Sequence, residues 1–398
     1  MDESGLLPAV EAAARLGVKK QTLYAYVSRG VLHRQVALDG RTSLFDPAEL
    51  DALRLGKRDR SDGELRAVIA TAITRVSDDA LLVRGHDLIR LVADGHGFGA
   101  ICDLLWLAPT SETWPKSEPG LTTSLSGIDG LRSILASASA ADPLRHDLSP
   151  PSVRAAGRRM ITAMVHGLPE QAKGSDRTLE GALWRRLTAT RGGPKERATL
   201  DAALALLLDH GLAASTFAAR IAASVRADPY SVATSGLGAI GGRLHGAAST
   251  RVHDLLSEAD RLDDAAQAVG ACLRSSESLP GFGHSVYTRQ DPRYALLMTM
   301  VVDVWADDPR LQRLYQVRDV VGSRRGDFPN IDLALGAFTW LASMPQQAGE
   351  TIFAIARTAG WLAHAIEEYD EAPLRFRPRA RYVGPSADEP RGGAVSGQ

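Results

Sequence analysis

Two histidines and one aspartate stand where a long helical pattern breaks. His245 lies between Gly241-Gly242-Arg243-Leu244 and Gly246. His284 closes Pro280-Gly281-Phe282-Gly283, and that segment runs on to Asp291-Pro292-Arg293. Asp332 follows Phe328-Pro329-Asn330-Ile331. Glycines beside a histidine let backbone approach a ligand closely. Such loops on a rigid scaffold are where function concentrates. A carboxylate can remove a proton next to a carbonyl, and a neutral imidazole can donate to the enolate oxygen that forms. Arg293, Arg357 and Arg377 could hold carboxylates through paired hydrogen bonds. Taken singly, each histidine could equally serve the fold, and Asp332 could simply cap the next helix.

These residues need elements to hold them. Around them, apolar residues recur with helical period almost continuously from residue 64 to 369. The segments are 65–76, 86–93, 98–107, 127–141, 152–167, 179–188, 196–209, 215–224, 229–239, 250–262, 264–273, 292–307, 332–342 and 350–368. Alternating Val, Ile and Thr runs are rare, so the expectation for this region is all-α. Residues 1–55 read differently. Short helical patterns at 8–16 and 19–29 end in Gly17 and Gly30, which is a helix-turn-helix spacing. Asp39-Gly40 between short runs signals a hairpin. Asp46-Pro47 starts a third helix reaching about Leu55. Together these predict a small winged helix-turn-helix domain. Residues 56–63 read as a linker, and 386–398 as a disordered tail.

Composition narrows the function classes. The chain has 398 residues, 44% of them apolar, so it can bury a sizeable core. Lys and Arg total 46 against 47 Asp and Glu, which argues against a protein that coats nucleic acid along its length. Cys102 and Cys272 are the only cysteines, too few for a disulfide framework or a zinc cluster. No metal site is expected. Free thiols, no signal-peptide pattern and no apolar run of about 18 residues give a cytoplasmic expectation. Within 1–55, seven basic residues face seven acidic ones. Lys19, Lys20, Gln21, Thr22, Tyr24 and Arg29 nevertheless cluster on the second helix, where a recognition helix would meet the major groove. DNA binding and protein docking both remain open for that domain.

The blocks 238–249, 281–287 with Asp291-Pro292-Arg293, and 329–332 resemble the three signature blocks of citrate synthases. Phe353 to His364, Arg377 to Gly384, Asp209-His210, Arg84-Gly85 and Leu104-Leu105-Trp106 extend the resemblance over residues 64–385. The first domain resembles MerR- or excisionase-type winged helices. The resemblance implies Asp332 as base toward acetyl-CoA, His245 at the enolate, and His284 at the ketone of oxaloacetate. His210, Arg293, Arg357 and Arg377 would bind oxaloacetate, with Arg377 reaching the neighbouring subunit's site in a homodimer. Gly281, Phe282, Gly283 and Arg289 would meet CoA, which is a substrate; no separate cofactor is implied. The fold implied is a large helical domain (64–248 and 344–385) and a small one (249–343) that closes over the substrates. Propionyl-CoA, giving 2-methylcitrate, is the alternative acyl donor, since one methylene changes affinity by only about 1–3 kcal/mol. A DNA-binding regulator that uses a weakly active synthase body as a sensor is a further alternative. Gly211 stands where the family usually has Glu, Arg243 where it has Pro, and Thr288 where a basic residue often meets CoA phosphate.

Overall fold

A computed structural model describes residues 6–28, 32–37, 42–47, 49–51, 68–78, 80–109, 112–116, 120–242, 246–275 and 279–378. The chain divides into two compact units, Met1–Ala70 and Thr71–Gln398.

In the first unit, strand β1 (Leu7–Pro8) leads into helices α1 (Ala9–Leu16) and α2 (Lys20–Ser28), followed by strands β2 (Gln35–Val36) and β3 (Ser43–Phe45). Gly17 ends α1 at φ 62°, a left-handed cap that glycine adopts without a Cβ penalty. The strands form an antiparallel sheet in the order β1-β3-β2. The Leu7–Pro8 strand was not expected. Ala9, Ala12 and Ala13, at helical spacing on α1, pack with Leu23, Leu32, Phe45 and Leu50. Arg15 binds both oxygens of Asp51, at 2.9 and 2.7 Å. Pro47 and residues 49–51 are helical. Arg29, Asp39-Gly40, the rest of the third helix, the 56–63 linker and the 386–398 tail lie outside the described residues.

The second unit opens with a correction. The expected helix at 65–76 is absent among the described residues. A three-stranded antiparallel sheet stands instead: β4 (Thr74–Val76), β5 (Leu81–Val83) and β6 (His86–Asp87). Strands of two or three residues are too short to display a period of two, so the all-α expectation misses them. Arg84 (φ 49°) and Gly85 (φ 84°) form the two-residue turn between β5 and β6. Helices follow: α3 (Leu88–Ala93), α4 (Phe98–Trp106), α5 (Gly127–Ala141), α6 (Pro150–Gly167), α7 (Leu179–Leu187), α8 (Pro194–Leu207), α9 (Ala214–Ser224) and α10 (Pro229–Ile240). Then come α11 (Ala248–Leu262), α12 (Ala265–Ser275), α13 (Pro292–Trp305), α14 (Pro309–Arg325), α15 (Ile331–Leu341) and α16 (Ala348–Asp370).

Helix α16 is the axis of this unit. It is buried along most of its length and packs against α4, α6, α8, α9 and α10. Close approach needs glycine at two points. A Cβ on Gly236 would strike the Trp361 ring, and one on Gly360 would strike the Leu208 carbonyl. Helices α11 to α15 pack on one another. Helix α14 was not anticipated from sequence. Its buried stripe is only Leu311, Leu314, Val317 and Val321 on an otherwise charged surface. Cys102 is buried and Cys272 partly so, and both are free. No described helix is long and apolar enough to cross a membrane.

Candidate active site

Two of the breaks in the helical pattern are hydrogen-bonded to each other. The Asn330 N–H donates to the Gly281 carbonyl at 2.9 Å, and the Gly283 N–H to the Phe328 carbonyl at 2.8 Å. The Asn330 side-chain amide adds a bond to the Gly283 carbonyl at 2.7 Å. Gly281 has φ 83°, and a Cβ there would lie 2.8 Å from Val252 and 3.0 Å from Leu333. Only glycine lets the loop sit this close to α15. This pairing brings the loop of His284 to the start of the helix that carries Asp332.

Asp291 completes the frame. Its carboxylate caps α13 through the Arg293 N–H at 3.0 Å and grips the Arg293 guanidinium at 3.0 and 2.8 Å. It also accepts the Ile331 N–H at 3.0 Å. One buried carboxylate thus joins the first turns of α13 and α15. Asn330, not Asp332, caps α15, because its side-chain oxygen accepts the Asp332 N–H at 3.0 Å. The capping alternative for Asp332 is therefore excluded. Among the described residues its carboxylate accepts no hydrogen bond. Burial pushes its pKa up to about 6, against the pull of Arg293, with Asp291 adding to the rise and Arg357 opposing it.

His284 has a defined tautomer. Its Nδ1 accepts the N–H groups of Val286 at 3.0 Å and Tyr287 at 3.2 Å. In the neutral ring the proton must then sit on Nε2, which is left to donate. Burial and the neighbouring Arg293 cation lower its pKa, which favours that neutral form. The His210 ring stands edge-on to it, with centroids 5.1 Å apart. Burial, then Arg293 and Arg357, push the His210 pKa far below the usual imidazole range.

Arg357 is buried midway along α16. Its Nε donates to the Leu207 carbonyl at 2.8 Å, and its guanidinium lies 4.6 Å from the Phe353 ring centre. Burial lowers its pKa to about 10, with Asp209 opposing the shift, so it stays charged at neutral pH. Asp209, beside His210, is fully buried. It accepts from Thr74 of the small sheet, from the Gly211 N–H at 3.3 Å, and lies 3.4 Å from His364 Nε2. Gly211 has φ 63°, a conformation that disfavours the Glu usual in the family.

The fold thus gathers His210, His284, Arg293, Arg357 and Asp332 into one electrostatic neighbourhood. Gly281, Phe282 and Gly283 line its loop. Arg289 is exposed and borders a cleft of about 700 Å³ with Asp78, Ile89, Pro292 and Leu296. Thr288 is bound to Asp78 through its N–H at 2.6 Å and its hydroxyl at 2.8 Å. Arg377 is exposed beyond α16 and makes no described contact with the cluster. Arg243 and His245 lie outside the described residues. Lys19, Lys20, Gln21 and Tyr24 are exposed on or beside α2, and Thr22 is partly buried there. Among the described residues no group of His, Cys, Asp and Glu could hold a metal ion. Sequence reasoning gave no role to Asp209, Thr74, Tyr287 or Asn330. The Pro329-Asn330 pair is an N-cap signal that could have exposed the last of these.

The family model for the citrate synthase C-terminal domain matches residues 116–379. The chain belongs to the citrate synthase family. A Haloferax volcanii citrate synthase is 36% identical over 190 residues, 47% of this chain and 50% of that protein. A citrate/2-methylcitrate synthase of Bacillus subtilis is 32% identical over 277 residues, 65% of this chain and 73% of that one. The chain thus spans about half the length of several curated relatives it matches. A Thermoplasma acidophilum citrate synthase, solved with carboxymethyl-coenzyme A and oxaloacetate, shares the fold. Its TM-score is 0.67 at 24% identity, covering 84% of this chain and 98% of that one.

Proposed function

We propose that this chain condenses acetyl-CoA with oxaloacetate and water, giving citrate and CoA. The observation that carries the reading is Asp332, a buried carboxylate that accepts no hydrogen bond among the described residues, on a helix whose start is paired with the loop of His284, whose Nε2 carries the ring proton. Asp332 takes a methyl proton of acetyl-CoA, and His245 donates to the thioester oxygen as the enol forms. The enol carbon attacks the oxaloacetate ketone, which the His284 Nε2–H polarises, and His284 protonates the alkoxide. Water then cleaves the citryl thioester and releases CoA. Arg357 and Arg293 face the carboxylates, with His210 beside them. Arg377 of a second copy completes the anion site, and Gly281, Phe282, Gly283 and Arg289 meet CoA. Closure of 249–343 over 64–248 and 344–385 excludes water from the enol. The same groups serve propionyl-CoA, for which the Bacillus subtilis relative's name gives support. The setting is a cytoplasmic homodimer.

The test is thiol release from acetyl-CoA and from propionyl-CoA with oxaloacetate. Wild type turns over at least one donor, and Asp332→Asn loses turnover while still binding oxaloacetate. No release with either donor overturns the reading.

A second reading concerns the first unit as a winged helix that binds DNA. Lys19, Lys20, Gln21 and Tyr24 are exposed around α2, while Asp51 is paired with Arg15 and Glu49 with His33. The Arg15–Asp51 pair takes one residue of each sign out of the count, and Glu49 lies against His33 rather than beside the exposed lysines. A gel shift of the full chain on its own promoter, lost in Lys19→Ala/Lys20→Ala, supports it. No shift at low salt removes it.

A further inference from the structure

Tyr287 meets three members of the cluster, His284, His210 and Arg293, though its position carries no assigned role. It is 1% exposed. Its backbone N–H bonds His284 Nδ1 at 3.2 Å. Its hydroxyl lies 3.0 Å from His210 Nε2. Its ring centre is 4.6 Å from that of His284 and 5.5 Å from that of His210. The Arg293 guanidinium lies 5.7 Å from the same ring centre.

The direction of the His210 bond follows from chemistry. Burial raises the Tyr287 pKa to about 12, so at neutral pH it is a phenol with a proton to donate. His210 is neutral, as derived above, and its Nε2 is the only hydrogen-bond partner of that hydroxyl among the described residues. A buried phenol gives its proton to its one partner, so the Nε2 lone pair accepts the Tyr287 hydroxyl and Nδ1 carries the His210 proton. We propose that Tyr287 is a positioning residue that locks His210 as its Nδ1–H tautomer and ties the two imidazoles together. One residue binds His284 through its backbone and His210 through its side chain, so the two rings, on separate segments, share one anchor. Substrate binding to His210 is therefore governed by this hydroxyl.

The kinetic part rests on the citrate synthase reading, and the tautomer part does not. The experiment is Tyr287→Phe in the full chain, which keeps the ring and the backbone N–H but removes the hydroxyl. Histidine labelled with ¹⁵N, assigned by comparison with His210→Gln, reports the tautomer directly. Wild type is expected to show His210 with its proton on Nδ1 alone, and Tyr287→Phe a mixture of both tautomers. In steady-state assays the KM for oxaloacetate changes about five-fold, the scale of one hydrogen bond, while kcat stays within about two-fold. An Nε2–H tautomer in wild type overturns the proposal, whether or not the variant folds. So does an unchanged His210 signal in Tyr287→Phe. Failure of turnover with a fixed Nδ1–H signal refutes the enzyme reading and leaves this one standing.

Discussion

Replacing Asp332 with Asn should make the protein inactive and more stable at once. Folding carries this carboxyl from an ordinary value of 3.8 to about 6, mainly through burial. A gap of about 2, at about 1.36 kcal/mol for each pH unit, makes the ionised form about 3 kcal/mol less favourable in the fold. Residual exposure screens part of this, so about 2–3 kcal/mol is expected. Because the folded pKa is raised, the folded chain binds the proton more tightly than the unfolded chain. The resulting stabilisation is full below 3.8 and is lost as pH rises through about 6. Asparagine has the same shape and never ionises. Asp332→Asn should therefore be more stable than wild type by about 2–3 kcal/mol at pH 7–8, and by only about 0.5 kcal/mol at pH 4. The assay is denaturant unfolding of both proteins across pH 4–8, followed through the helical signal. Equal midpoints at pH 8, or an advantage for Asn that persists undiminished at pH 4, would refute the burial argument. Loss of turnover beside that gain is the trade expected where a site keeps a strained charge for chemistry.

Other outcomes follow from the same geometry. The kcat/KM profile should fall about ten-fold per pH unit below about 6, where Asp332 takes up its proton; a flat profile to pH 5 counts against Asp332 as base. Gly360→Ala should cost about 2–3 kcal/mol, because its Cβ would meet the Leu208 carbonyl and lie 2.7 Å from Asp209 Oδ1; a melting curve checks it. Arg220→Met should cost about 2–3 kcal/mol, since it removes one of the two cations on buried Glu368, bound at 2.8 Å, leaves Arg375 alone there, and takes the 2.6 Å partner from Glu367. Replacing Glu368 as well should recover part of that loss in a double-mutant cycle. Gly211→Ala should cost about 1–2 kcal/mol, because φ 63° is left-handed.

Much of the scaffold was legible because local rules set it. Asp291-Pro292 marks the start of α13 by the N-cap and N1 preferences. The same Asp-Pro signal at Asp308-Pro309 opens α14, where only the thinness of the apolar stripe hid the helix. The sheet at 74–87 was invisible because its strands hold together through cross-strand bonds and packing rather than through any pattern within three residues.

The site divides along the same line. Sequence alone determined which chemical groups are available, His284, Asp332, Arg293 and Arg357 at breaks or along a helix, because residue type and helix punctuation are local properties. Tertiary structure decided what those groups are. The loop pairing through Gly281 and Asn330 brings His284 toward Asp332. Two N–H groups choose the His284 tautomer. Burial near Arg293, Asp291 and Arg357 sets the Asp332 proton affinity. Protonation and tautomer depend on charges and donors that lie far away along the chain but a few ångströms away in space. No spacing within a sequence records that distance.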